Sequence, residues 1–246
     1  MIDLKLSFHK GFFFVGIIVA WLGIFSLAIP VSALPQSSQK SSLLNRQSDW
    51  PEWTLPGPFN DSKLKKDIIY PSWFTGSWLV ESTDMRSPED KPIEYQAKFK
   101  INSSGELVGD RSFNALSIGK AIIGDKLLTV KNDPSTPNRQ FARFDGQEFL
   151  ETKIIGRSQY LGSDSILLTD ELALQIFHAL DVTRVKQVET LSKYQPCKSP
   201  LAIPENLSNL AICGEQWIAI YPFPAEMLSK KPLRANHYKL ILTRES

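Results

Sequence analysis

The sequence predicts an all-β protein: a single antiparallel barrel of about 8–10 strands carrying one or two short helices. Three observations carry this prediction. In "IEYQAKFKIN" (93–102), Ile93, Tyr95, Ala97, Phe99 and Ile101 alternate strictly with Glu94, Gln96, Lys98, Lys100 and Asn102. That is the pattern of a strand with one buried and one wet face. Turn signals recur between the strand candidates at Gly124-Asp125, Asn132-Asp133-Pro134, Asp145-Gly146 and Gly162-Ser163-Asp164. Helical spacing is confined to two segments, 114–123 and 170–182.

In chain order, residues 1–33 read as a signal peptide. Lys5 and Lys10 precede an apolar run over 11–29, and Val31-Ser32-Ala33 supplies small residues for cleavage after Ala33. The run has 19 residues, close to a membrane span, so an N-terminal membrane anchor is the alternative. Residues 34–66 form a lead-in. Over 34–48 it is polar, Ser/Gln-rich and without period, which predicts disorder. From 49 onward Trp50, Trp53, Leu55 and Phe59 are interleaved with prolines, which predicts extended chain lying along the outside of the domain or across one end.

Residues 67–246 are the predicted barrel domain. Beyond the strands starting at Trp78 and Ile93, strands are expected at 126–131, 138–144, 147–156, 158–168, 184–195, 215–221 and 236–244. "SSGE" (103–106) turns into "LVGDRSF" as a hairpin. "NALSIGKAII" (114–123) is expected as a helix packed on the sheet. "DELALQIFHALDV" (170–182) fits a helix after a Thr169 cap, or a strand through Ile176-Phe177; both readings stand.

Without residues 1–33 the chain carries 26 basic and 25 acidic side chains, which gives no footprint for a nucleic-acid partner. The most basic stretch, 229–239, reads as a solvated loop and strand edge, with an anionic-lipid contact as the alternative. Cys197 and Cys213 are the two cysteines. In an oxidising compartment they pair as a disulfide; free thiols, or one thiol attaching a chromophore, are the alternatives.

"YPSWFTGSWLVESTD" (70–84) places Gly76 and Trp78 at the start of the first strand. An indole there can plug one end of a barrel, with glycine letting the lead-in cross closely. In "YKLILTRES", Tyr238, Leu240, Leu242 and Arg244 share a face, so Arg244 is expected to stack on Trp78. Trp78, Arg244 and the alternating body between them resemble the lipocalin and fatty-acid-binding-protein superfamily. "YPSWFTGSWLVEST" with "GDRSFNALSI" (109–118) looks more narrowly like a lipocalin-like domain of unknown function from cyanobacteria and chloroplasts. The resemblance implies a calycin-type barrel, export to the thylakoid lumen or its bacterial counterpart, and no established activity. The chain departs from a typical lipocalin in lacking an obvious long helix after the last strand.

No HExxH, CxxC, GxSxG or phosphate-loop pattern occurs, and His178 and His237 lie far apart, so neither catalytic residues nor a metal site are expected. The candidate ligand-binding residues are Tyr95, Phe99, Arg111, Asn114 and Trp217. Arg111 and Asn114, in "GDRSFN", could orient a ligand's carboxylate or carbonyl at the barrel mouth. An internal Asp110–Arg111 network anchoring the helix competes with that role. Arg139 and Arg143 suggest an anionic ligand if they point inward and a solvated face if outward. Three functions follow in order. The first is an exported carrier of a small hydrophobic molecule such as a lipid, carotenoid or tetrapyrrole. The second is a filled-barrel assembly factor for a thylakoid membrane complex, and the third a pigment-modifying enzyme of the bilin-lyase or carotenoid-modifying type.

Overall fold

The computed structural model describes residues 36–55, 57, 59, 67–136, 138–197, 211–222 and 230–245. The predicted signal peptide or anchor over 1–33 lies outside them. Among the described residues, no helix is long and apolar enough to cross a membrane.

Ten strands form one antiparallel sheet: β1 (Gly76–Asp84), β2 (Ile93–Ile101), β3 (Leu107–Gly109), β4 (Leu127–Asn132), β5 (Arg139–Phe144), β6 (Phe149–Leu161), β7 (Leu167–His178), β8 (Thr183–Pro196), β9 (Ala211–Tyr221) and β10 (Arg234–Arg244). Their order is β3-β2-β1-β10-β9-β8-β7-β6-β5-β4. The first and last long strands pair, as in a barrel, but β3 and β4 do not meet. The sheet is therefore a curled half-barrel, with helix α2 (Arg111–Ile123) packed against both β2 and β4 across the gap.

The predicted alternation holds where one face is wet: in β2, Tyr95, Ala97 and Phe99 are buried while Glu94 and Gln96 are exposed. The helix expected at 114–123 forms, starting at Arg111 because the Asp110 side chain caps the Phe113 amide. The stretch 170–182 resolves as strand β7 up to His178. It carries no period of two because both of its faces are buried. The strands expected at 147–156 and 158–168 are a single strand, β6, ended by a turn at Gly162.

The predicted disorder of 34–48 is corrected: Gln36–Ser48 is helix α1, packed against β6 and β7. Its sequence is a poor isolated helix, and it is Leu43 and Arg46, both buried against the sheet, that hold it. Behind it Trp53 and Leu55 lie on the convex face with Leu172, Leu191, Trp217 and Tyr221. The described part of the lead-in thus covers the outside of the half-barrel, and a second core lines its inside.

One end of the cup is closed. The Trp78 indole N–H donates to the Phe74 carbonyl (2.7 Å), and Phe74 meets Phe99 from β2 and Tyr194 from β8, at centroid distances of 4.7 and 5.3 Å. Side chains from opposite walls therefore meet at this end. Cys197 and Cys213 form a disulfide there, between the end of β8 and the start of β9, with Cα atoms 5.0 Å apart. The loops 85–92, 124–126, 145–148 and 179–182 lie at the other end, the mouth.

Candidate functional site

The concave wall is where this fold can present chemistry, and its character follows from register. On β8, Val188 belongs to the concave core, so Lys186 and Thr190 face inward with it. Lys186 pairs with Gln175 on β7, Gln175 with Thr152 on β6, and Thr152 with Gln140 on β5. Gln140 in turn pairs with Asn132 on β4 and donates to its carbonyl oxygen (2.9 Å). One polar side chain per strand thus runs across five strands. An apolar row flanks it on either side: Val130, Ala142, Leu150 and Phe177 toward the mouth, and Ile154, Ala173 and Val188 toward the closed end. Gln140, Thr152 and Gln175 are buried, and Lys186 is half-buried. Burial lowers the Lys186 ammonium to about 8, because removal from water disfavours the charged form.

Deeper in the cup lies a second polar group. A β-bulge at Ile155 shifts the β6 register and turns Arg157 inward, where its guanidinium Nε donates to Glu171 (2.6 Å). Asp67 of the segment entering the domain lies 3.7 Å from Arg111. Burial outweighs the nearby guanidinium groups at both carboxyls, pushing Asp67 up to about 6 and Glu171 to about 7. The same burial lowers Arg111 to about 10. Glu171 Oε2 and the Thr190 hydroxyl, register partners on the inner wall, are buried without a hydrogen-bond partner among the described residues.

The residues singled out in the sequence divide. Tyr95 and Phe99 line the cup; Phe99 packs on Tyr70 and Phe74, and the buried Tyr95 hydroxyl has no hydrogen-bond partner among the described residues. Trp217 does not join them. It lies on the convex face, stacked on His237 at 5.0 Å, because Ile218 and Ile220 take the inward positions of β9.

Asn114 faces the sheet edge. Its carbonyl oxygen accepts from the Lys98 amide (2.7 Å) and its amide donates to the Lys98 carbonyl (3.1 Å). With Ser117, which accepts from the Gln96 amide (2.9 Å), it gives the open edge of β2 the partners a further strand would supply. Asp110 and Arg111 have different partners: Asp110 is 2.7 Å from Lys100, while Arg111 faces Asp67. Arg139 and Arg143 point outward, Arg139 donating to Glu151 (2.7 Å).

Gly76 adopts φ +105°, a backbone that favours glycine, as the chain turns into β1. Arg244 is the register partner of Trp78, and its guanidinium carbon lies 5.9 Å from the indole centroid. His178 stacks on Phe149, and His237 bonds Glu215 (3.0 Å); among the described residues no cluster of three His, Cys, Asp or Glu could hold a metal ion.

The polar row was missed in the sequence, although a signal for it exists. Thr152 falls in phase with Leu150 and Ile154, Gln175 with Ala173 and Phe177, and Lys186 with Val188. One polar residue breaks the apolar phase in each successive strand, and only the register reveals that the breaks align.

Comparison with known proteins adds a family. The family model described as Domain of unknown function (DUF6816) matches residues 63–246. No curated protein and no solved structure matches the chain.

Proposed function

We propose, from the premise that the chain belongs to the DUF6816 family, that it is an exported half-barrel whose concave wall binds a small hydrophobic molecule: a lipid, carotenoid or tetrapyrrole. The supporting observation is the row Gln140–Thr152–Gln175–Lys186 set between apolar rows. Binding pockets are mostly apolar walls with a few polar groups that fix orientation, and this wall has that composition. A purely structural core has no need of such a row, since apolar side chains at these inward positions would avoid the cost of taking polar groups out of water. The apolar run over 11–29 and the Cys197–Cys213 disulfide are compatible with export to an oxidising compartment such as a periplasm or thylakoid lumen.

The test is extraction and native mass spectrometry of the protein purified from its own host. A co-purifying lipid or pigment, lost when Thr152 and Gln175 are replaced by Val and Leu, is the expected result. Protein that is always empty, and that takes up no apolar probe, overturns the reading. The filled closed end, where Phe74 meets Tyr194 across the cup, favours a second reading. In it the protein is a non-enzymatic assembly or stability factor for a membrane complex, and it would then co-purify with protein subunits in place of a small molecule.

A further inference from the structure

Exposed aliphatic side chains gather at the mouth of the cup. Leu180, Val182 and Leu233 are 80%, 44% and 72% exposed, on the connections from β7 to β8 and from β9 to β10. Leu180 stands at the tip of a tight turn closed by the Ala179 amide, which donates to the Val182 carbonyl (3.0 Å). The Leu233 amide donates to the Ile220 carbonyl (2.7 Å). Both backbones are thus fixed while the side chains stand in water. The two connections are neighbours, because β8 pairs with β9 up to Gln187 opposite Tyr221, and Leu233 lies beside Ile220. One exposed leucine on a surface is ordinary, but three aliphatic side chains on two adjoining tips are not explained by packing.

The charge around these tips is mostly of one sign. Arg184, Lys186, Lys230, Lys231 and Arg234 all lie within four residues of them in sequence, and among the described residues Asp181 is the one acid so placed. Three further acids border the patch, and each meets a basic group: Glu52 contacts Lys231 (3.1 Å), Asp84 contacts Arg86, and Glu148 feels Arg184 and Lys126. The patch keeps a basic excess.

We infer that these two tips dock the protein, mouth first, on an anionic lipid bilayer. Leu180, Val182 and Leu233 enter the boundary between headgroups and acyl chains, while the lysines and arginines stay among the phosphates. A fluid interior accepts separate projecting side chains without a matching shape, which a folded partner would have to supply. The inference stands whether or not the cup is loaded. Under the carrier reading, it sets the open mouth where an apolar molecule enters or leaves the bilayer.

Leu180→Cys in the full chain, labelled with a polarity-sensitive fluorophore, is mixed with vesicles of phosphatidylcholine, with or without phosphatidylglycerol. Cys197 and Cys213 are held in their disulfide, so the label has one site. Ile101→Cys, 59% exposed at the closed end of β2, is the control for orientation. The expected result is a blue shift at position 180 with phosphatidylglycerol present, weakened by salt, and none at position 101 or with phosphatidylcholine alone. Adding Leu233→Ser should raise the lipid concentration for half the shift about tenfold, the scale of burying one leucine. Arg184→Gln with Lys230→Gln should remove the preference for phosphatidylglycerol. No shift at 180, an equal shift at 101, equal shifts with both lipids, or indifference to Leu233→Ser overturns the inference. So does a shift produced only by added host protein, which would mark a protein partner.

Discussion

Arg46 closes a two-point hydrogen bond on Glu189, at 2.7 and 2.6 Å, across a sequence separation of 143 residues. The pair is buried beneath Trp53, whose ring lies 4.7 Å from the Arg46 guanidinium, and Tyr221 donates a further bond to Glu189 (2.7 Å). Asp170 lies close by on the same face, fully buried, its carboxyl raised well above the usual range first by burial and then by the Glu189 charge. The convex face therefore holds one carboxylate that Arg46 neutralises and, close by, one carboxyl whose neutral form burial favours.

Removing one partner of a buried ion pair leaves the other charge without compensation. Arg46→Ala should destabilise the protein by about 3–5 kcal/mol, read as a lower urea midpoint. The double variant Arg46→Met with Glu189→Leu should recover most of that loss, because no charge is left buried. If Arg46→Ala leaves the midpoint unchanged, α1 does not contribute to the folded unit.

Asn114 gives a second expectation, since it accepts from the Lys98 amide at an open sheet edge and shares the Lys98 carbonyl with the Asp110 amide. Asn114→Ala should cost about 2 kcal/mol, the scale of leaving a buried polar group unpaired. Hydrogen exchange at the Lys98 amide should rise more than at Tyr95 or Val80 in the core. A uniform rise across the sheet would show instead that the loss is global.

The disulfide joins residues 16 apart in sequence. Closing a loop of that size stabilises by about 3 kcal/mol in the chain-entropy model. Replacing Cys197 and Cys213 by Ser should lower the unfolding free energy by that order, and reductant should have no further effect on the variant. Equal stability of oxidised, reduced and Ser forms would refute a structural role for the bond.

How much of this was legible in the sequence depends on burial. β2 could be read because Glu94 and Gln96 are wet while Tyr95 and Ala97 are buried. β7 could not, since α1 and Trp53 cover its outer face, and Leu172 and Ala173 are then both buried. Helix α1 has no apolar stripe to announce it, and its stability comes from Leu43 and Arg46 meeting strands more than a hundred residues away. Trp217 was assigned to the wrong face because an alternating strand shows which residues share a side but not which side faces in. The polar row needed register, a relation between strands that no single segment contains.

The buried carboxyls of the cup set a pH dependence with a definite sign. Asp67 is raised from an ordinary value of 3.8 to about 6, and Glu171 from 4.5 to about 7, in each case chiefly by burial. A carboxyl whose folded pKa is raised binds its proton more tightly in the folded state. Its contribution is complete below the unfolded value and is lost as pH rises through the folded one. For Asp67 the shift of about two units corresponds to about 3 kcal/mol. Unfolding free energy should therefore fall between pH 4 and 7, and Asp67→Asn should flatten the lower part of that slope. Urea titrations of both proteins at pH 4.5, 6 and 7.5 check this. A wild-type protein that gains stability over that range would show that Arg111 and Arg157 outweigh the desolvation of the two acids.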